Sequence, residues 1–201
     1  MVIVSGFLGA GKTSTILSAV REISERGKKV AIIVNDFGQI GIDAKVMEKY
    51  GLEVKELAGG CICCTLGVSL LDTVQRIASA FRPDFIIMEP TGIADPGDIL
   101  ANMERYTGPA PESIKVIHII DAPRFEVVSR ALGTIFAKHM EAADVMVINK
   151  IDEANNEQIE TIEARLREGG FRGRILRASA ERGDGMEEIA EIILMSQSSC
   201  K

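Results

Sequence analysis

The eight residues "GFLGAGKT" (6–13) constrain this chain more than any other stretch. They stand between an apolar β-branched run, "VIVSG" (2–6), and a helical pattern from Lys12 to about Arg26, with Ile16, Leu17, Val20 and Ile23 on one face. The spacing G-x-x-x-x-G-K-[ST] carries meaning only in that strand–loop–helix setting, and here the setting is present. Glycines let successive backbone amides turn inward as an anion-binding nest, and the helix N-terminus adds the positive end of its dipole. The expected chemistry is phosphate binding by Gly6, Gly9, Ala10, Gly11, Lys12, Thr13 and Ser14. Lys12 would reach the β- and γ-phosphates, and the Thr13 hydroxyl would serve Mg²⁺. A chance glycine-rich turn is the competing reading, and the flanking strand and helix disfavour it.

The same alternation continues along the chain. "KVAIIV" (29–34), "LEVKEL" (52–57), "DFIIM" (84–88), "KVIHII" (115–120), "DVMVI" (144–148) and "GRILRAS" (173–179) read as strands. Helices are expected from Leu66 to Ala80, over "EQIETIEARLREGG" closed by Gly169, and over "GMEEIAEIILM"; Gly27 would end the first helix. Such alternation predicts βαβ units with right-handed crossovers. The fold class is therefore α/β, a P-loop NTPase three-layer sandwich with a mainly parallel central sheet and helices on both faces. One domain is expected over 1–195, with a frayed tail at 196–201 and no second domain. Ligands of such folds sit beyond the C-terminal ends of the strands, where the informative loops fall.

Composition bears on the partners. A net charge of −6 disfavours a general nucleic-acid binder, which needs a basic face. No apolar run approaches the roughly 18 residues of a membrane span, and no signal peptide fits. A cytoplasmic protein is expected. There, clustered cysteines suit metal binding or reactivity better than structural disulfides.

"NKID" (149–152) follows a strand and matches the N-K-x-D element of guanine-nucleotide sites. Asp152 can accept hydrogen bonds from the guanine N1–H and exocyclic amine, donors that adenine lacks at those positions. Asn149 would tie the loop together, the Lys150 stem would cover the base, and "RASA" with Ser179 and Ala180 offers an amide for the guanine carbonyl. "FIIMEPTG" ends a strand in Glu89, with Gly92 three residues on; the carboxylate can hold Mg²⁺ through water and the Gly92 amide can sense the γ-phosphate. Asp121, after "VIHII", has the same shape and reads alternatively as a turn cap. In "NDFGQIGID" (35–43), Asp36 is a candidate to orient the attacking water, against an ordinary loop with Asx-turns. His118 reads as packed within its strand, His139 as a surface residue, and the methionines as core. No arginine stands out as a cis supplement to the phosphates, so slow hydrolysis without a partner is expected.

Taken in order, "GFLGAGKT", "NDFGQIGID", "GGCICCTL", "EPTGIADPG" and "NKID" resemble the CobW-type GTPases, the cobalamin-synthesis and metallochaperone group. The resemblance implies Mg²⁺-dependent GTP hydrolysis to GDP coupled to handling of a transition metal. It also implies a nucleotide-linked homodimer, a client metalloenzyme or cofactor-maturation protein, and a cysteine loop whose exposure follows nucleotide state. Members often continue into a C-terminal domain absent here, so the chain reads as a minimal or truncated member. Many relatives carry E-N-E-F-G-E where this chain has Val34, Asn35, Asp36, Phe37, Gly38 and Gln39, so two of three acids are missing. That shifts the expected metal site to Cys61, Cys63 and Cys64, three thiols on a glycine-flanked loop. Thiolates suit Zn²⁺ first, with Cu(I), Co²⁺ and Ni²⁺ as alternatives, and three of them leave one position for a recipient's ligand. A redox C-x-x-C pair and inert buried cysteines are the competing readings. Competing functions are a hydrogenase- or urease-type nickel-insertion GTPase, a nucleotide switch without metal, and a P-loop kinase, the last disfavoured by "NKID".

Overall fold

The computed structural model describes residues 1–34, 53–56, 70–75, 77–79, 82–109 and 111–196. Seven strands make one sheet: β1 (Val2–Gly6), β2 (Val30–Val34), β3 (Glu53–Glu56), β4 (Phe85–Glu89), β5 (Lys115–Asp121), β6 (Val145–Asn149) and β7 (Arg174–Arg177). Their order is β3-β2-β4-β1-β5-β6-β7, and every pairing is parallel. The expectation of a mainly parallel sheet becomes an all-parallel one among the described strands. β1, β2 and β6 are buried at every position, which is why they read as unbroken apolar runs rather than alternating ones.

Side chains nonetheless alternate between two cores. Val2, Val4, Ile32, Ile117, Val145 and Val147 face α1 (Lys12–Glu25) and Met186–Met195, the last helix. Ile3, Ala31, Ile33, Met88 and Val116 face the opposite way, onto Leu70, Val74 and Ile77 and onto α2 (Pro96–Met103). Farther along that second face, Met146 and Ile148 pack on α3 (Phe125–Ala131), α4 (Gly133–Ala142) and α5 (Asn156–Glu168). Each fully buried Ile or Val along α1 contributes about 1.5–3 kcal/mol, so Ile16, Val20 and Ile23 suffice to dock that helix. The last helix is α6.

Local chemistry sets the helix ends. Gly27 adopts φ 73 after α1, as its position predicts. Gly169 caps α5 in a helical conformation, and Gly170 takes the left-handed one at φ 97. Asp95 caps α2 by accepting the Gly97 amide, with Pro96 at the first helical position. Ser196 was expected in the tail but is buried at the end of α6, where its hydroxyl donates to the Ile193 carbonyl. The remainder of the tail, Cys200 included, lies outside the described residues. No helix among the described residues is long and apolar enough to cross a membrane.

Candidate nucleotide site

The site gathers at the C-terminal edge of the sheet, because parallel strands deliver all their following loops to one side. β1 sits between β4 and β5, so the loop after Gly6 is flanked by Glu89 on one side and Asp121 on the other. Asp121 pairs in register with Asn149, which brings the base loop alongside.

The phosphate loop is held by backbone freedom and close approach. Gly6 has φ 144, and a Cβ there would lie 2.5 Å from the Ile119 carbonyl oxygen. Gly11 has φ 90, and any side chain would strike the Asn149 amide nitrogen. α1 begins at Lys12 with no side-chain cap and no acidic residue in its first turn, so nothing of its own competes for the amides there. Lys12, buried, lies 3.9 Å from Glu89 Oε1, and its Nζ is 3.5 Å from the Phe7 carbonyl. Thr13 Oγ1 donates to the Glu89 carboxylate, 2.8 Å from Oε2. Gly92 backs directly onto the loop; a Cβ would sit 2.7 Å from the Leu8 nitrogen.

Of the two strand-end acids, Glu89 therefore meets Thr13. Asp121 is otherwise engaged. Its Oδ1 accepts the Arg124 amide at 3.1 Å, a turn cap, while Oδ2 accepts both Arg124 Nε and Lys150 Nζ at 2.8 Å. Burial pushes the Asp121 carboxyl up, but the bonds from Lys150 and Arg124 outweigh it and hold it below the usual carboxylate range.

Asn149 joins two loops. Its Nδ2 donates to the Ala10 carbonyl at 2.8 Å, and its Oδ1 accepts the Ala180 amide at 3.1 Å. The Ala180 amide, expected to face a guanine carbonyl, is thus given to Asn149 in this structure. Lys150 adopts φ 62, which turns the chain so that Asp152 follows in a short 3₁₀ turn, Ile151–Glu153. The Ser179 hydroxyl beside Asp152 holds its carboxyl below the usual range, and Asp152 Oδ1 is buried without a hydrogen-bond partner among the described residues. An ionised carboxylate with an unused lone-pair oxygen is an acceptor awaiting N–H donors.

The histidines differ from expectation in one case. His118 is packed, with Nδ1 3.0 Å from Ser5 Oγ. His139, expected at the surface, is fully buried. It faces the sheet from α4, stacks on Phe7 of the phosphate loop at 5.2 Å between centroids, and meets His118 edge-on at 5.1 Å. Met195 is exposed rather than core. Arg124 is the residue that sequence reasoning missed. Its Nη2 donates to the Leu8 carbonyl at 2.7 Å, a contact across 116 positions that no local pattern signals. Asp36, Cys61, Cys63 and Cys64 lie outside the described residues, among which no group of three or more His, Cys, Asp and Glu side chains could hold a metal ion.

The chain resembles known proteins over most of its length. The chain is 29% identical over 187 residues to a protein of Escherichia coli named zinc chaperone YeiR, covering 91% of this chain and 56% of that one. It is 28% identical over 215 residues to a Dictyostelium discoideum protein named zinc-regulated GTPase metalloprotein activator 1, covering 88% and 45%. The chain thus spans about half the length of these curated relatives. Among solved structures, the hydrogenase maturation factor HypB of Archaeoglobus fulgidus superposes with a TM-score of 0.68 at 19% identity, over 96% of this chain and 87% of that one, a likeness of fold. The family model described as CobW/HypB/UreG, nucleotide-binding domain, matches residues 1–175, and the chain belongs to that family.

Proposed function

We propose that the chain binds and hydrolyses GTP and uses that cycle to hand a transition metal, Zn²⁺ first, to a client metalloprotein or cofactor-maturation protein. The observation that carries the nucleotide half is Asn149, which binds the phosphate loop at Ala10, while Asp152, three positions on, keeps an Oδ1 acceptor with no partner among the described residues. Phosphate chain and purine would then be read by one rigid unit. The relatives named as zinc chaperones and as a zinc-regulated GTPase support the metal half.

The amides of Gly9 through Ser14 and the Lys12 ammonium take the β- and γ-phosphates. Thr13 and Glu89 offer hard oxygen donors 2.8 Å apart, a set that fits Mg²⁺, which when bound would neutralise phosphate charge. Gly92, packed on Leu8, is assigned the amide that senses the terminal phosphate. Asp36 is assigned the orientation of the attacking water. Asp152 accepts from the guanine N1–H and amine, Lys150 covers the ring, and Ser179 fixes the carboxylate. The metal cargo is assigned to the thiolates of Cys61, Cys63 and Cys64. A nucleotide-linked homodimer is part of this reading.

The test is a titration of the purified chain with Zn²⁺, in GDP and in a non-hydrolysable GTP analogue, beside phosphate release from GTP and ATP. GTP-selective phosphate release is expected, with metal affinity that differs between nucleotide states and is lost in a Cys61→Ser, Cys63→Ser, Cys64→Ser variant. Equal metal binding by that variant would remove the metal half and leave a nucleotide switch; indifference to GTP would remove the whole.

A further inference from the structure

Arg124 holds the phosphate loop at a carbonyl for which the proposed nucleotide contacts have no use. Besides bonding the Leu8 carbonyl, the guanidinium fills the space over Gly9, where a Cβ would come within 2.5 Å of Nη2. Arg124 is itself anchored, because Nε bonds Asp121, whose side chain is 4% exposed and which also takes Lys150. The peptide between Leu8 and Gly9 is trans, so the Gly9 N–H points opposite to the Leu8 carbonyl. Tying that carbonyl to Arg124 fixes the amide on the opposite side of the peptide. Gly9, at φ 78, does not make this choice alone, since glycine tolerates either sense of the peptide before it. A cation on the carbonyl also polarises the peptide and strengthens its N–H as a donor.

We propose that Arg124 is a positioning residue for nucleotide hydrolysis, clamping the Leu8–Gly9 peptide so that the Gly9 amide is presented to the phosphate chain. This rests on reading the loop as a GTP site. In that reaction water adds to the γ-phosphorus, the bond from it to the β–γ bridging oxygen breaks, and the electron pair leaves on GDP while the water's protons pass to phosphate and solvent. A preorganised amide in the phosphate loop acts on the charge that develops on the phosphate oxygens, and matters more in the transition state than in bound GDP.

The test compares the wild-type chain with Arg124→Ala and Arg124→Lys, reading kcat for GTP, GDP affinity, and the Gly9 backbone amide resonance with and without GDP. Arg124→Ala is expected to lower kcat about tenfold or more, to change GDP affinity less than about threefold, and to lose the nucleotide-induced shift of the Gly9 resonance. Arg124→Lys, which keeps one donor but no fork, should fall between, and added guanidinium ion should restore part of the Ala variant's rate. If the Ala variant does not fold, the Lys variant's kcat and Gly9 resonance decide. A kcat within about twofold of wild type, or kcat and GDP affinity falling by the same factor with an unmoved Gly9 resonance, overturns the assignment. A wild-type chain that does not bind GTP would instead overturn the reading beneath it.

Discussion

In the proposed reading, one side chain, Asp152, sets the choice of base. Its carboxyl is held ionised beside Ser179, and its buried Oδ1 has no partner among the described residues. A donor pair such as guanine's N1–H and amine would satisfy it; a base without those donors would leave a desolvated charge unpaired. Asp152→Asn swaps an acceptor for a donor. GTP affinity should then drop about 100-fold in competition binding, while XTP, which carries a carbonyl where guanine has its amine, should gain. Unchanged preference for GTP would place the base elsewhere. This residue was legible from "NKID" because the whole element is local. Its neighbour Lys150 was only half legible: the residue was named, but its bond to Asp121 crosses 29 positions.

Among the elements, the strands and the long amphipathic helices were readable because their apolar periodicity is strong and local. α2 and α3 were not, being only 8 and 7 residues long. The signal for α2 was present in Asp95-Pro96, a cap followed by proline, which marks a helix start without periodicity to confirm it. α5 has the fuller signature: Asn155 accepts the Gln158 amide at 2.8 Å, and Gln158 reciprocates to the Asn155 amide at 3.0 Å. Asn155→Ala should cost about 1 kcal/mol in urea unfolding, with an unchanged slope. Nucleotide affinity should stay put, since this cap serves the helix rather than the site. A loss of GTP binding equal to the loss of stability would contradict that separation.

For the molecule as a whole, the buried pair His118 and His139 ties sheet, phosphate loop and α4 into one titrating unit. Burial lowers His118 well below its ordinary value, helped by the charges of His139 and Lys12. Burial also lowers His139, against the opposing pull of Asp95 and the Ala94 backbone. Both histidines therefore bind protons more readily in the unfolded chain. Their contribution to stability is complete above the unfolded value of about 6.5 and is lost as pH falls from there toward the folded values. Unfolding free energy should rise with pH across that window, by at most about 1.4 kcal/mol per pH unit for each histidine. His139→Phe, which keeps a ring against Phe7 but cannot titrate, should roughly halve the slope in urea unfolding between pH 5.5 and 7.5. An unaltered slope would assign the pH dependence to other groups.

Sequence alone determined the parallel α/β architecture and marked "GFLGAGKT" and "NKID" as motifs, since each strand run and each motif is written in residues within a few positions of one another. Gly92 three residues on already favours Glu89 over Asp121 in the sequence, but only the tertiary structure supplied the contacts: β4 delivers Glu89 to Thr13 across 76 positions, while Lys150 and Arg124 neutralise Asp121 on the other side of β1. Tertiary structure also decided that His139 is buried and that Arg124 reaches Leu8. Strand order and crossover set those meetings, and neither is encoded in the spacing of neighbouring residues.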